Sequence, residues 1–213
     1  YMFKIGSCRM DLDNYYDNTF YKNIAYTHTS KEVIQWLDIL ENKLNIKDIS
    51  FSELVLQNNK ICDLSNSKIN FNKSEIILIE ISSMKIKTYN NFFYNINYFS
   101  NKSKDNQFIK EFINGYIQTE EELYNDLLII QKRLPNKKII FVGHLLMNFY
   151  DYPNFNTSYR SKIDSILRKI KKNTIVLSDL FKTQDYKEVF DNDINHFKVN
   201  TKKVIANKLA SML

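Results

Sequence analysis

Two short stretches, one near each end of the chain, carry residue types that do covalent chemistry. The first is Gly6-Ser7-Cys8, which closes the short run Phe3-Lys4-Ile5 and precedes Arg9, Asp11 and Asp13. That order reads as a buried strand, a tight turn that uses glycine, and the first turn of a helix. A cysteine there stands at the carboxyl end of a strand, where open α/β sheets bind ligands. The helix start and Arg9 would favour the thiolate, the nucleophilic form. Taken alone, Cys8 reads more simply as a small buried apolar residue.

The second stretch is Asp193-Ile194-Asn195-His196. A carboxylate three residues before an imidazole can bond one ring nitrogen and fix the tautomer, leaving the other nitrogen to take a proton. A nucleophile with an oriented base is the general activation scheme. Asp-x-x-His alone is a common loop pairing, so its meaning depends on what the fold places beside it. His28 and His144 are spare candidates for the base. His144 follows Lys137-Lys-Ile-Ile-Phe-Val-Gly143, but no carboxylate is near it in sequence until Asp151. Arg160 reads as a contact for an anionic substrate or, more simply, as a surface ion-pair residue. The second cysteine, Cys62, completes no metal-ligand spacing and no disulfide framework, and has no assigned role.

The elements that must position these groups alternate. Glu75–Ile81 is a nearly continuous apolar run, expected as a central strand, and it ends in Ser82-Ser83. Further strands are expected at 137–143 and 174–177, and residues 48–57 read as a short strand running into a helical turn. Thr29 with Glu32 and Thr119 with Glu122 form capping boxes. They open helices expected at about 30–44 and from 119 to Pro135. Further helices are expected at about 157–172 and 200–212. Such alternation argues for one domain over residues 1–213, with a mainly parallel sheet of about five strands and helices on both faces. This is a three-layer α/β/α sandwich of flavodoxin-like type. The segment 89–99, rich in Asn, Tyr and Phe, is a candidate binding surface.

A nucleophile turn after the first strand, five alternating strands and Asp-x-x-His before the last helix together resemble the SGNH (GDSL-type) hydrolase family. The family's Gly-Asp-Ser block is matched by Gly6-Ser7-Cys8, with cysteine in the position of the serine, as in GSCFA-type relatives. Its last block is matched by Asp193 through His196. The resemblance implies an esterase or acyltransferase acting on an ester or thioester, including a carbohydrate acyl ester. Cys8 would be the nucleophile, His196 the base and Asp193 its orienter, with no cofactor or metal. It also allows a catalytically inactive relative that binds a glycan or a protein. The family's second and third blocks, which donate to the oxyanion, have no counterpart, since no glycine lies between Gly6 and Gly115. Substitutes on the binding side would come from Gly6, Ser7, Ser82, Ser83 and His144.

Composition narrows the rest. With 44% hydrophobic and 14% aromatic residues in 213, the chain is globular, not disordered. The net charge of +6 is carried by lysine; arginine occurs only at 9, 133, 160 and 168. No arginine stripe interleaved with aromatics appears, so a specific nucleic-acid partner is not expected. No run approaches the ~18 apolar residues of a membrane span, and no basic-then-apolar signal opens the chain, so a cytoplasmic location is expected. The chain begins at Tyr1 and not at Met, which leaves an upstream segment open.

Overall fold

The computed structural model describes residues 1–12, 14–15, 20–21, 25–56, 64–95 and 114–213. The protein is mixed α/β, built around a parallel sheet. Its strands are β1 (Met2–Ile5), β2 (Phe20–Tyr21), β3 (Ile76–Glu80), β7 (Lys138–Val142) and β8 (Thr174–Ile175). They lie in the order β2-β1-β3-β7-β8, with every neighbour parallel. The winding direction reverses between β1 and β3, where Met2 to Ile5 stand opposite Ile76 to Ile79.

Successive residues of a strand point to opposite faces, and here each face has its own core. Phe3, Ile5, Ile77, Ile79, Ile139 and Phe141 face one apolar cluster. It is completed by α1 (Ser30–Leu40), α3 (Glu120–Arg133) and α4 (Ser158–Ile170), together with Phe71 from α2 (Leu64–Lys73). Met2, Leu78, Ile140 and Val142 face the other cluster, under α5 (Leu177–Leu180), α6 (Tyr186–Val189) and α7 (Val199–Ala210). Burial on both faces is why these strands read as near-continuous apolar runs.

Thr29 and Thr119 both open helices as expected, but only the first forms the reciprocal box: Thr119 Oγ1 accepts from the Glu122 N–H, while the Glu122 carboxylate accepts from Tyr116. Thr29 Oγ1 accepts from the Glu32 N–H, and Glu32 Oε2 accepts from the Thr29 N–H at 3.0 Å. α1 stops at Leu40, short of the expected 44, and the chain leaves it through Asn42 in the left-handed region (φ 59°), a conformation asparagine tolerates at helix ends. Of the strand and helical turn expected within 48–57, the turn is present and the strand is not formed among the described residues. Ile46–Asp48 and Ser52–Leu54 are 3-10 turns, and Ile49, Leu54 and Val55 pack with Trp36 and Ile39 in a third, smaller cluster. Their N–H groups bond locally instead of to a sheet partner. The strand expected at 174–177 ends at Ile175 and runs into α5.

β4 (Lys85–Tyr89), β5 (Phe92–Phe93) and β6 (Asn114–Ile117) form a separate antiparallel sheet. In the candidate binding segment 89–99, Tyr94 is buried in the third cluster, and Tyr89 and Phe92, partly buried, pack against it; residues 96–99 lie outside the described residues. Among the described residues no helix is long and apolar enough to cross a membrane.

Candidate active site

Gly6, Ser7 and Cys8 leave β1 at the point where the sheet's winding reverses, the place where open α/β sheets hold ligands. A Cβ on Gly6 would lie 2.8 Å from Glu80 Cβ, so glycine lets the turn press on the end of β3. Glu80 is fully buried there. Its Oε2 accepts the Ser7 N–H at 2.7 Å and its Oε1 accepts Arg9 Nε at 2.6 Å. Burial drives the Glu80 carboxyl upward, but the Arg9 charge and the Ser7 and Arg9 hydrogen bonds outweigh it and hold it below the usual range.

The sequence did not single out Glu80. The signal was an ionisable residue inside an otherwise apolar strand, which burial obliges to find a partner.

The expected helix start after Cys8 is a 3-10 turn of three residues, Cys8–Met10, capped by Ser7 Oγ accepting from the Arg9 N–H at 3.3 Å. A single turn carries little of the dipole invoked for the thiolate, and the Arg9 guanidinium is bonded to Glu80 and Asn195. Asp11 pairs with the buried Lys4; Asp13 lies outside the described residues, as does Cys62. Cys8 is a half-buried free thiol, and its carbonyl accepts Lys202 Nζ at 3.1 Å.

The second stretch folds around Asp193. Its Oδ1 accepts the N–H groups of Asn195 and His196, both at 2.7 Å, and its Oδ2 meets His196 Nδ1 at 2.5 Å. Burial raises the Asp193 carboxyl, but the bonds from His196 and the two amides prevail and lower it. The Phe190–Phe197 bridge closes the loop. The ring of His196 stands outward, with 63% of its side chain exposed.

What joins the two stretches is Arg9, the neighbour of Cys8. Its Nη1 donates to the carbonyl of Asn195, the neighbour of His196, at 3.3 Å. Among the described residues no hydrogen bond joins Cys8 Sγ directly to the His196 ring.

Arg160 is not a surface residue, and among the described residues it forms no ion pair. It is 4% exposed, donating to Leu145 O (3.0 Å), Ile194 O (2.9 Å) and Asn195 Oδ1 (3.0 Å). Its guanidinium lies 4.9–5.9 Å from the ring centroids of Phe155, Phe149 and Phe190. Burial, then the Arg9 charge, lower its pKa to about 9 against the pull of Asp193.

The proposed donors on the far side of the turn are occupied to different degrees. The Ser82 and Ser83 amides both donate to the His28 carbonyl, at 2.9 and 3.0 Å. Ser83 Oγ accepts from the Lys85 N–H, and Ser82 Oγ lies 3.1 Å from His28 Nδ1. Burial first, then Arg9, lower His28 to about 4 against the charge of Glu80. His144 is wholly buried between Phe190 and Phe197. Its Nδ1 accepts the Leu145 N–H at 2.8 Å, which puts the ring proton on Nε2, an atom without a hydrogen-bond partner. Burial, reinforced by Arg9, Arg160 and His28, keeps the ring neutral. Neither histidine is an imidazolium at neutral pH, and neutral His144 can donate through its Nε2–H.

On the outer side of the loop, a cleft of about 220 Å³ is lined by Asp193, Asp191, Asn192, Tyr152 and Tyr186 among others. Among the described residues no group of three or more His, Cys, Asp or Glu side chains is placed to hold a metal ion.

A search of curated proteins returns no match, and neither does a search of solved structures. One family model, described as TviD N-terminal domain, matches residues 2–112, just over half of the 213 residues. The matched part contains Cys8 and Glu80 and ends before β7. Yet β7 pairs along the whole of β3, so matched and unmatched halves share one sheet.

Proposed function

The chain belongs to the TviD N-terminal domain family, and from that premise and the site geometry we propose that it is an SGNH-like acyl hydrolase or acyltransferase with a cysteine nucleophile. The observation that carries the reading is the Asp193–His196 pair, held by two amides and tied through Arg9 to the turn bearing Cys8. The strand order, which is that of flavodoxin-type sheets, and the apolar clusters on both faces support a three-layer α/β/α reading of the fold.

In this mechanism His196 Nε2 takes the Cys8 thiol proton, and Asp193 steadies the imidazolium through Nδ1. Sγ attacks the ester or thioester carbonyl. The tetrahedral intermediate collapses and expels the alcohol or thiol, which receives the proton from His196. The resulting thioester on Cys8 is then attacked by water in a hydrolase, or by a hydroxyl such as that of a sugar in a transferase. His196 again acts as base, and the thiol is regenerated. The Cys8 N–H, Ser82 Oγ and the Nε2–H of His144 are the candidate donors to the oxyanion. The substrate is a small-molecule or carbohydrate acyl ester, and the location is cytoplasmic.

Mass spectrometry of the intact protein after incubation with activated esters and acyl-thioesters tests this directly. The native chain should gain one acyl group and Cys8→Ala none. An unmodified native chain, or equal labelling of Cys8→Ala, would overturn the mechanism. A second reading, a catalytically inactive domain of the same fold that binds a glycan or protein, draws on the open cleft beside Asp193 and on the lack of a direct Cys8–His196 bond. It predicts no acyl adduct.

A further inference from the structure

We infer that Arg160 is the positioning residue of the base loop, fixing His196 for its work on Cys8 through Ile194 and Asn195. The inference rests on the acyl-transfer reading above. Burying a guanidinium is costly unless its charge and its donors are answered. Among the described residues no carboxylate forms an ion pair with Arg160; three aromatic faces and three oxygens surround it instead. If the site required only bulk, a leucine or methionine would fill the space between Phe149, Phe155 and Phe190 without desolvating a charge. What the guanidinium adds is direction. A planar fork holds several acceptors at fixed angles, and here it spans from Leu145, just past the end of β7, to Ile194 and Asn195.

Asn195 is the point where the restraints meet. Its carbonyl is held by Arg9, its side-chain oxygen by Arg160 and its N–H by Asp193. The next residue is His196. Arg9 references the loop to the nucleophile turn, and Arg160 references it to the β7 edge. With both in place, the outward-facing imidazole is defined despite its exposure. Arg160 touches neither substrate nor thiol in this scheme, so its effect falls on the rate of the chemical step and not on acyl-donor affinity.

The test compares Arg160→Gln, Arg160→Lys and the native protein for acylation of Cys8 by an activated ester, with amide hydrogen exchange read alongside. Arg160→Gln should lower the limiting acylation rate by about 10–100-fold, the scale of a small misplacement of a reacting group, with the half-saturating ester concentration within about twofold. Arg160→Lys, which keeps the charge and reaches some of the acceptors, should lie between. The Asn195 and His196 amides should exchange faster in Arg160→Gln while those of β3 and β7 keep their protection.

Native-like acylation in Arg160→Gln, or a loss confined to half-saturation, would overturn the inference. So would Arg160→Lys being as slow as Arg160→Gln. If Arg160→Gln fails to fold, Arg160→Lys decides by the same two readouts. If the native chain is not acylated at all, the acyl-transfer reading fails. The exchange data then judge Arg160 alone: unchanged protection at 195 and 196 in Arg160→Gln sinks its role in the loop.

Discussion

Replacing Glu80 by glutamine tests whether the nucleophile turn is held by a buried charge. The carboxylate answers two donors, Ser7 N–H at 2.7 Å and Arg9 Nε at 2.6 Å, with no solvent at Glu80. Glutamine has a single acceptor oxygen, so its NH2 group must face one of those two donors. Where the NH2 faces Arg9, the Asn195 carbonyl is the acceptor left to its guanidinium among the described residues. Breaking a buried pair by removing one partner costs about 3–5 kcal/mol. With an m-value of about 2–3 kcal/mol/M, the urea midpoint should fall by about 1–2 M.

The pH dependence has a definite sign. Glu80 is held below the usual carboxyl range, so its contribution is complete above the unfolded value of about 4.3. It is lost as pH falls through the lower folded value. The gap between native and Glu80→Gln should therefore be level from pH 8 to about pH 5 and close on further acidification. In the Arg9→Met background the Glu80 substitution should cost much less than it does alone, because no guanidinium is left unpaired. A loss under about 1 kcal/mol, an unchanged gap at pH 3, or strict additivity with Arg9→Met would refute the charge-pair account.

Other outcomes follow from the same geometry. Gly6→Ala drives a Cβ to 2.8 Å from a strand Cβ that has no flexible end to yield. It should cost about 1–3 kcal/mol, seen as a melting point lowered by about 2–4 °C per kcal/mol, with slower Cys8 acylation. At the start of α1, burial pushes the Glu32 carboxyl up to about 7 against bonds from Thr29 and His28. Its folded value thus lies above the unfolded one, and stability declines as pH rises from about 4.3 through 7. Glu32→Gln keeps the capping oxygen and removes the ionisation. Denaturation at pH 4 should find it close to native, and at pH 8 more stable by about 2–4 kcal/mol.

The mixed α/β character and the parallel sheet were legible because both faces of the sheet are covered. Ile76–Glu80 and Lys138–Val142 therefore read as apolar runs, and α1 and α3 announce themselves by their capping threonines. α2 was not legible: Leu64–Lys73 is mostly Asn, Ser and Lys and buries only Ser67, Asn70 and Phe71. Residues 85 to about 105 read as an extra strand or a long loop, and β4 is such a strand; its pairing was not legible because β4 and β6 meet across a long sequence gap, and all of β6 is exposed, without alternation. In the candidate site, Gly6, Cys8, Asp193 and His196 stand out in the sequence by residue type and by the resemblance. Glu80 does not, and Arg160 reads there only as a substrate contact or a surface ion-pair residue, because the importance of both lies in whom they meet. A glutamate in a strand and an arginine in a first helical turn look polar until the fold takes away their water.

Arg9 and Asn195 are separated by 186 positions, and that separation puts the site on a clock. At synthesis rates of about 5–20 residues per second, Cys8 exists for about 10–40 s before His196 has been made. On the proposed mechanism the nascent chain then holds a cysteine without its base, joined once residue 80 is made by a Glu80 that can already meet Arg9. Bringing the 190–197 loop home closes nearly the whole chain in one contact, an event of high contact order that comes late in folding. An interruption of translation between residues 112 and 193 thus yields a product that retains the matched family segment and Cys8 and lacks the base that the proposed mechanism assigns to it.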